Sequence, residues 1–374
     1  MKNIKIAIFF TYDYSIKTLR ENGLLERELR IYRELNKLYG IDFIFLTYDT
    51  KDPQIEEGFT EFEFLPIYKF VKMSNMKIIR FIKSFIIPFK IKKELSDVDI
   101  LHQHQLLGAW IPLILKFLLK KPVQIRTGYD AYLFSLENND VFYKLMFYKY
   151  LTKLSLKFSD LYTVTSKCDR DFLTDEFKTK NIKLVPNWVD LNENSHRKTK
   201  MDEILMVGRL ERQKNYTLAF DFIELVDEDI GLDIYGSGTE FSILKSLSGK
   251  NSLKVNFLGN TDHKNLLEEF SKYNYFLTTS SYEGNPKTVL EALSRQCIVF
   301  ASNIPNHQEL IKDGVNGFLF ANVDELIEKF EFIKNDIPAQ NIIRKNSISS
   351  LSNNEILNVS KLMYEDYDSL VSFK

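Results

Sequence analysis

The sequence predicts two α/β domains, each built on a parallel sheet, and three observations carry that prediction. The chain has 374 residues, more than one hydrophobic core usually organises, on a prior of roughly 150 residues per domain. In both halves, short apolar runs alternate with stretches of helical periodicity, and strand–helix–strand succession implies right-handed βαβ units. Between the halves, Asn192–Asp202 is polar and charged with no apolar period, and reads as a linker.

In chain order, Lys5–Phe10 reads as a short buried strand. Leu25, Leu29, Ile31, Leu35 and Leu38 mark a helix over Leu24–Leu38, Gly40 ends it, and Ile41–Thr47 is the second strand. The loop between Phe10 and that helix contains Gly23. It stands at the carboxyl end of the first strand, where open parallel sheets bind ligands. Phe62–Leu65 reads as a further strand.

Lys69–Lys93 carries eight basic residues and no acidic one. At about 100° per residue, Ile78, Ile79, Phe81, Ile82, Phe85 and Ile86 fall on one arc, opposite Lys77, Arg80 and Lys83. The pattern predicts a basic amphipathic helix that Pro88 ends or kinks. Such a helix either lies on a membrane surface or packs on the sheet with a basic solvent face. Eight positive charges in a chain of net charge −1 favour the membrane.

Asp99–His104 is a strand running into a loop, with His102 and His104 on one face. Two histidines without further ligands do not make a metal site. Pro122–Arg126 is the next strand, followed by Thr127–Asp130. Val141–Phe158 is a helix with four lysines and no acid, which again suits a membrane. Leu161–Val164 is a strand, Ser166 begins a loop or helix, and Leu184–Val185 leads into Pro186–Asp190.

The pattern then restarts. Strands are expected at Ile204–Val207, Leu232–Tyr235, Lys254–Phe257, Tyr275–Thr279, Ile298–Ala301 and Gly317–Phe320. Helices are expected at Tyr216–Leu225, Glu240–Leu247, Lys264–Lys272, Asn306–Ile311, Asp324–Asn335 and Asn354–Val371.

The totals exclude several classes. A net charge of −1 offers no global field for nucleic acid. Cys168 and Cys297 have neither metal-ligand spacing nor a disulfide framework, which fits a reducing cytoplasm. Met1–Phe10 is a charged start to a strand and not a signal peptide. The apolar run Leu106–Leu119 is broken by Lys116 and too short to span a bilayer.

Four segments of the second half stand where a strand gives way to a helix. In Val207–Asn215, Gly208 permits a tight exit, Arg209 can fork onto phosphate oxygens and Lys214 adds a point charge. Tyr235–Glu240 holds Gly236 and Gly238, half of a dinucleotide fingerprint, with Phe241 where a third glycine belongs. Phe257–Leu258–Gly259 is the third. The fourth is Ser280–Leu293, where Gly284, Asn285 and Pro286 turn the chain into a helix beginning near Lys287 and Thr288. The free N–H groups of that first turn favour an anion. Glu283 precedes the turn and Glu291 lies one helical turn past Lys287, an i,i+4 pair. Two cations, a helix N-terminus and two carboxylates at one sheet edge suit a nucleoside diphosphate with a sugar at each end.

In order and spacing, VGRLERQKN, the YGSG turn, FLG and EGNPKTVLEA resemble glycosyltransferase family 4, retaining enzymes that use nucleotide sugars. The resemblance implies a B-type glycosyltransferase fold, two facing Rossmann-like domains with a central cleft. The acceptor-binding domain would be 1–188, joined by a returning helix 354–374, and the nucleotide-sugar-binding domain 189–353. It further implies that Arg209 and Lys214 neutralise the diphosphate without an obligatory metal or cofactor, and that Glu291 binds ribose. Glu283 would touch the donor sugar, and Gly284 through Lys287 would offer backbone N–H groups. Many members carry a histidine where this chain has Thr127. Asp130, Arg126 and His104 are the candidates to replace it.

The expected function is transfer of a sugar, with retention, from a UDP- or GDP-sugar to a glycan or lipid-linked acceptor in cell-surface polysaccharide synthesis. The expected place is the cytoplasmic face of the cell membrane, held peripherally through 69–93, with no nucleic-acid partner. The alternatives are a nucleotide-sugar epimerase or hydrolase, and a catalytically silent subunit that binds a nucleotide sugar.

Overall fold

The computed structural model describes residues 3–21, 23–51, 61–191, 199–226, 230–250 and 253–372. The chain divides into two compact units, Met1–Val185 with Ser360–Lys374, and Pro186–Val359.

The first unit is a seven-stranded sheet of β1 (Lys5–Phe9), β2 (Asp42–Thr47), β3 (Glu63–Pro66), β4 (Ile100–His104), β5 (Val123–Thr127), β6 (Leu161–Val164) and β7 (Ile182–Leu184). Its order is β3-β2-β1-β4-β5-β6-β7, and every pairing is parallel. Central strands such as β1 and β5 are buried along nearly their whole length because helices cover both faces, which is why they read as unbroken apolar runs. The order reverses between β1 and β4, so the loops after these strands flank the point where such sheets take ligands.

The helix Leu25–Tyr39 buries Leu25, Leu29, Ile31 and Leu35 on one face. It ends at Gly40, in left-handed geometry at φ 65°, whose N–H reaches Asn36 O. A helix not foreseen, Ile16–Glu21, stands between β1 and this one. Gly23 terminates it, with φ 67° and its N–H on Arg20 O. This left-handed conformation serves the turn between the two helices.

The basic stretch forms two short helices, Lys77–Ser84 and Ile87–Ile91, with Pro88 in the first turn of the second. The proline's missing N–H costs nothing there. The apolar run 106–119 becomes the helix Trp110–Leu119. The last helix, Ile356–Ser372, packs its later residues on this unit. Tyr364 stacks on Tyr39 with centroids 4.1 Å apart, Asp366 pairs with Lys183, and the Tyr367 hydroxyl lies 2.8 Å from His102 Nδ1.

The second unit is a six-stranded parallel sheet of β8 (Lys200–Val207), β9 (Gly231–Tyr235), β10 (Val255–Gly259), β11 (Tyr273–Thr278), β12 (Ile298–Ser302) and β13 (Phe318–Phe320). The order is β10-β9-β8-β11-β12-β13, reversing between β8 and β11. Of the expected linker, 192–198 lie outside the described residues and Lys200–Asp202 open β8. Asp233 is what makes the polar start of β8 compatible with a sheet: it accepts from Lys200 Nζ at 2.6 Å and from Asn256 Nδ2 at 2.8 Å. One apolar layer, with Phe222, Phe300 and Phe330, covers one face. Another, with Phe276, Val289 and Leu293, covers the other. The helix Ile337–Ser350 was not foreseen. It starts from Asp336, whose side chain accepts from Ala339 N, and its buried residues are Gln340, Ile343 and Ser347, of which one is apolar.

Candidate functional site

The reversal between β8 and β11 brings together two loops some seventy positions apart in the chain. After β8, the chain leaves through Gly208 and Arg209 into a 3₁₀ turn, Arg212–Lys214, and enters the helix Tyr216–Leu225 through Asn215 at φ 47°. After β11, residues Thr279–Pro286 lead into the helix Lys287–Ser294. Three hydrogen bonds lace the loops together. Ser281 N donates to Gln213 O at 2.9 Å, Gln213 Nε2 to Tyr282 O at 2.7 Å, and Thr279 Oγ1 to Lys214 O at 2.8 Å.

That lacing brings Lys214 Nζ onto Glu283 Oε1, with side chains 15% and 10% exposed. Ser280 Oγ donates to the same carboxylate at 2.7 Å. Burial pushes the Glu283 carboxyl up, but the Lys214 charge and the bonds from Lys214 and Ser280 outweigh it and hold the group below the usual glutamate range. Behind it stands His307, buried, with Nδ1 2.8 Å from Ser302 O. Burial lowers its pKa.

The glycines of these loops have different reasons to be glycine. Gly208 lies under Lys214, where an added Cβ would sit 3.2 Å from Lys214 Cε. Gly236, at φ 143°, and Gly238 have no room for a Cβ because it would collide with the backbone of Gly208 and of Leu210. Their role in the structure is close backbone approach between the β8 and β9 loops, sealed by Leu210 N to Ser237 O at 2.9 Å. Leu258 is an exposed residue of edge strand β10. Arg209 is exposed at the mouth of the β8 loop and makes no ion pair among the described residues.

Pro286 is the N-cap of the Lys287–Ser294 helix and supplies no capping side chain. The first-turn N–H groups of Lys287 and Thr288 stand at this helix start, the kind of terminus at which anions bind. Gly284 and Asn285 are buried beneath it, and Asn285 O accepts from Asn187 Nδ2 at 2.8 Å. Glu291, buried one turn into the helix, meets a residue the motif reading passed over: His263 Nε2 is 2.8 Å from Glu291 Oε1.

In the first unit the structure engages the candidates otherwise. His104 uses both ring nitrogens, Nε2 at 3.0 Å from Glu28 Oε2 and Nδ1 at 3.1 Å from the Tyr32 hydroxyl. Asp130 is fully buried and caps the helix Ala131–Glu137 by accepting from Leu133 N at 2.7 Å. Burial raises its carboxyl to about 6. Arg126 is buried and donates to Val185 O at 3.0 Å, and Thr127 is a buried strand residue.

Comparison with known proteins gives the family. The family model described as Glycosyl transferases group 1 matches residues 190–350, and the one described as Glycosyltransferase Family 4 matches residues 29–193. The chain belongs to glycosyltransferase family 4. Two curated relatives span most of it. One is the "GalNAc-alpha-(1->4)-GalNAc-alpha-(1->3)-diNAcBac-PP-undecaprenol alpha-1,4-N-acetyl-D-galactosaminyltransferase" of Campylobacter jejuni, 27% identical over 69% of this chain and 70% of that one. The other is the "UDP-Gal:alpha-D-GlcNAc-diphosphoundecaprenol alpha-1,3-galactosyltransferase" of Escherichia coli, 27% identical over 75% and 77%. Among solved structures, sucrose-phosphate synthase from Thermosynechococcus elongatus aligns at TM-score 0.80 with 16% identity, covering 100% of both chains. HepE of Anabaena in complex with UDP-glucose aligns at 0.76 with 15% identity, covering 98% of this chain and 100% of that one. At such identities the likeness speaks for the fold, the B-type glycosyltransferase fold, which the two parallel-sheet α/β units share.

In this family-4 glycosyltransferase the β8 and β11 loops thus place a lysine, a charged glutamate and an uncapped helix start side by side. The set gathers cationic, N–H and carboxylate groups in one place. Gln213, Ser280, Asn187, His263 and His307 complete it. Gln213 and Ser280 stand within the β8 and β11 segments, but the bonds of Gln213 and His263 reach another loop, which no local motif records.

Proposed function

We propose that the protein transfers a sugar, with retention, from a UDP- or GDP-sugar to a glycan or lipid-linked acceptor in cell-surface polysaccharide assembly. The observation that supports this most is the meeting of Lys214 and Glu283 beside the uncapped start of the Lys287–Ser294 helix. A nucleoside diphosphate sugar has the matching parts in one molecule: two phosphates, hydroxyls that need acceptors, and a ribose. Arg209 and Lys214 take the diphosphate, with no metal required. Gly284 to Lys287 turn backbone N–H groups to the phosphate or sugar. Glu283 accepts from donor-sugar hydroxyls, and Glu291 from the ribose.

In the reaction, the acceptor hydroxyl oxygen forms a bond to the anomeric carbon as the bond from that carbon to the phosphate oxygen breaks. The electron pair leaves on the phosphate, and the acceptor's proton passes to the same leaving oxygen, on the face it departs from. Arg209 and Lys214 stabilise the charge that grows there. Lys214 already pairs with Glu283 in the free protein, so the donor's phosphate exchanges one anion for another and the lysine stays compensated.

The acceptor is reached at an anionic membrane surface. Ile78 and Ile82 are 65% and 62% exposed, and Phe85, Ile86 and Phe89 are exposed beside them. Lys72, Lys77, Lys90, Lys92 and Lys93 are exposed in the same stretch. The helix Phe142–Phe158 continues it with exposed Phe142, Tyr143 and Tyr150, joined through Phe81 and Phe147, whose ring centroids lie 5.8 Å apart. Arg80 belongs to the fold instead, paired with Asp13 at 2.6 Å. Among the described residues no helix is long and apolar enough to cross a membrane; the attachment proposed is peripheral, through this exposed face. The two curated relatives named above carry undecaprenol-linked compounds in their names, which accords with a lipid-linked acceptor.

The test is transfer of labelled sugar from nucleotide sugars to a membrane extract. Arg209→Ala and Lys214→Ala are each expected to lower turnover at least tenfold. Unchanged turnover in both, or release of free or isomerised sugar without an acceptor, would sink the assignment.

A further inference from the structure

Glu291 does not stand alone in its helix. His263 opens the helix His263–Lys272 just beyond the end of β10, and Glu291 lies in the helix that follows β11. The two side chains are 11% and 5% exposed, with His263 Nε2 and Glu291 Oε1 2.8 Å apart. A carboxylate only accepts, so Nε2 carries the hydrogen and donates. The imidazole is itself held at a rigid point. Asp262 caps its helix by accepting from Asn265 N at 3.0 Å, which leaves His263 at the first helical position with little backbone freedom. A glutamate has three side-chain torsions, and a single bond to a charged acceptor is strong enough to select among them.

We propose that His263 is the positioning residue for Glu291: its Nε2–H holds the carboxylate in the orientation that receives the ribose hydroxyls of the nucleotide. The inference rests on reading Glu291 as the ribose ligand. It assigns the discrimination between ribo- and 2′-deoxyribonucleotides to a pair built by the β10 and β11 loops. An acidic group that must meet vicinal hydroxyls loses discrimination when it can swing, because a deoxy ligand then leaves no fixed acceptor stranded.

The experiment is calorimetric titration of UDP, GDP, their 2′-deoxy counterparts and inorganic diphosphate, on the full chain and on His263→Ala, His263→Gln and Glu291→Gln. The wild type is expected to prefer the ribonucleotide by about tenfold or more. His263→Ala should cut that preference to under about threefold while leaving the inorganic diphosphate constant unchanged. His263→Gln, whose side-chain amide can donate to Glu291, should restore most of it. A general loosening of the fold would weaken all ligands together and would not be rescued by glutamine. Retention of the full preference in His263→Ala, or equal weakening of every ligand, overturns the inference. If instead the wild type shows no preference, or Glu291→Gln keeps it, the ribose reading of Glu291 fails and the inference falls with it.

Discussion

Lys214 and Glu283 are both largely buried, and neither charge is stable there alone. Removing one partner of such a pair typically costs about 3–5 kcal/mol, because the other stays behind uncompensated. Lys214→Ala is therefore expected to lower the unfolding midpoint in denaturant as well as turnover. Adding Glu283→Gln should recover much of the stability and none of the activity. Recovery of both would show the pair to be structural only. Asp130 gives a test of opposite sign. Its carboxyl, raised by burial to about 6, binds a proton more tightly in the native state than in the unfolded one. Its favourable contribution is full below the unfolded value near 4 and is lost as pH rises to about 6, on the order of 3 kcal/mol in all. Asn caps a helix as well as Asp and does not titrate. Measured by urea unfolding, Asp130→Asn should gain on the wild type by that order between pH 4 and pH 6.5, and a constant difference would contradict the assignment. At this scale, Arg209, Lys214, Glu283 and Glu291 were legible because each sits in a short local pattern at a strand end. His263 and Gln213 were not, since their meaning comes from partners 28 and 69 positions away on another loop. The capping role of Asp130 was not read from the sequence, because a residue after a strand can as easily cap the next helix as face a ligand.

Among the elements, the loops after β8 and β9 depend on one another. Gly236 and Gly238 meet backbone and not side chain where a Cβ would go, so no rotamer change makes room. Gly238→Ala is expected to push the β9 loop off Leu210 and shift the β8 loop, lowering donor affinity at least tenfold with a clear loss of thermal stability. Unchanged affinity and melting would show that the loops move independently. The dinucleotide-like spacing of these glycines was visible in the sequence, but its cause, one backbone against another, was not. The basic stretch was read correctly as amphipathic, yet its helix is two short ones, and Phe81 turned inward onto Trp110, with ring centroids 5.3 Å apart. Ile78→Asp with Ile82→Asp is expected to abolish flotation with anionic liposomes while leaving donor binding intact. Flotation equal to the wild type would remove these helices from the membrane account. Helix Ile337–Ser350 escaped detection because only one of its buried residues is apolar, and periodicity then carries little information.

At the scale of the whole molecule, the alternation of strands and helices sufficed to predict two parallel-sheet units, since fully buried parallel strands announce themselves as apolar runs. Strand order was not written in any segment. It emerges from how the crossovers turn, and it is what brings the β8 and β11 loops side by side at the reversal. The central claim is that this reversal holds a nucleotide sugar. Its most direct measurement is a thermal-shift series of UDP- and GDP-sugars on the wild type and on Arg209→Ala. A ligand at about a hundred times its Kd stabilises the native state by roughly 2.7 kcal/mol, enough to raise the melting temperature by several degrees. The account predicts such a rise with at least one nucleotide sugar, lost or much reduced in Arg209→Ala. A flat response of the wild type to all of them would contradict it.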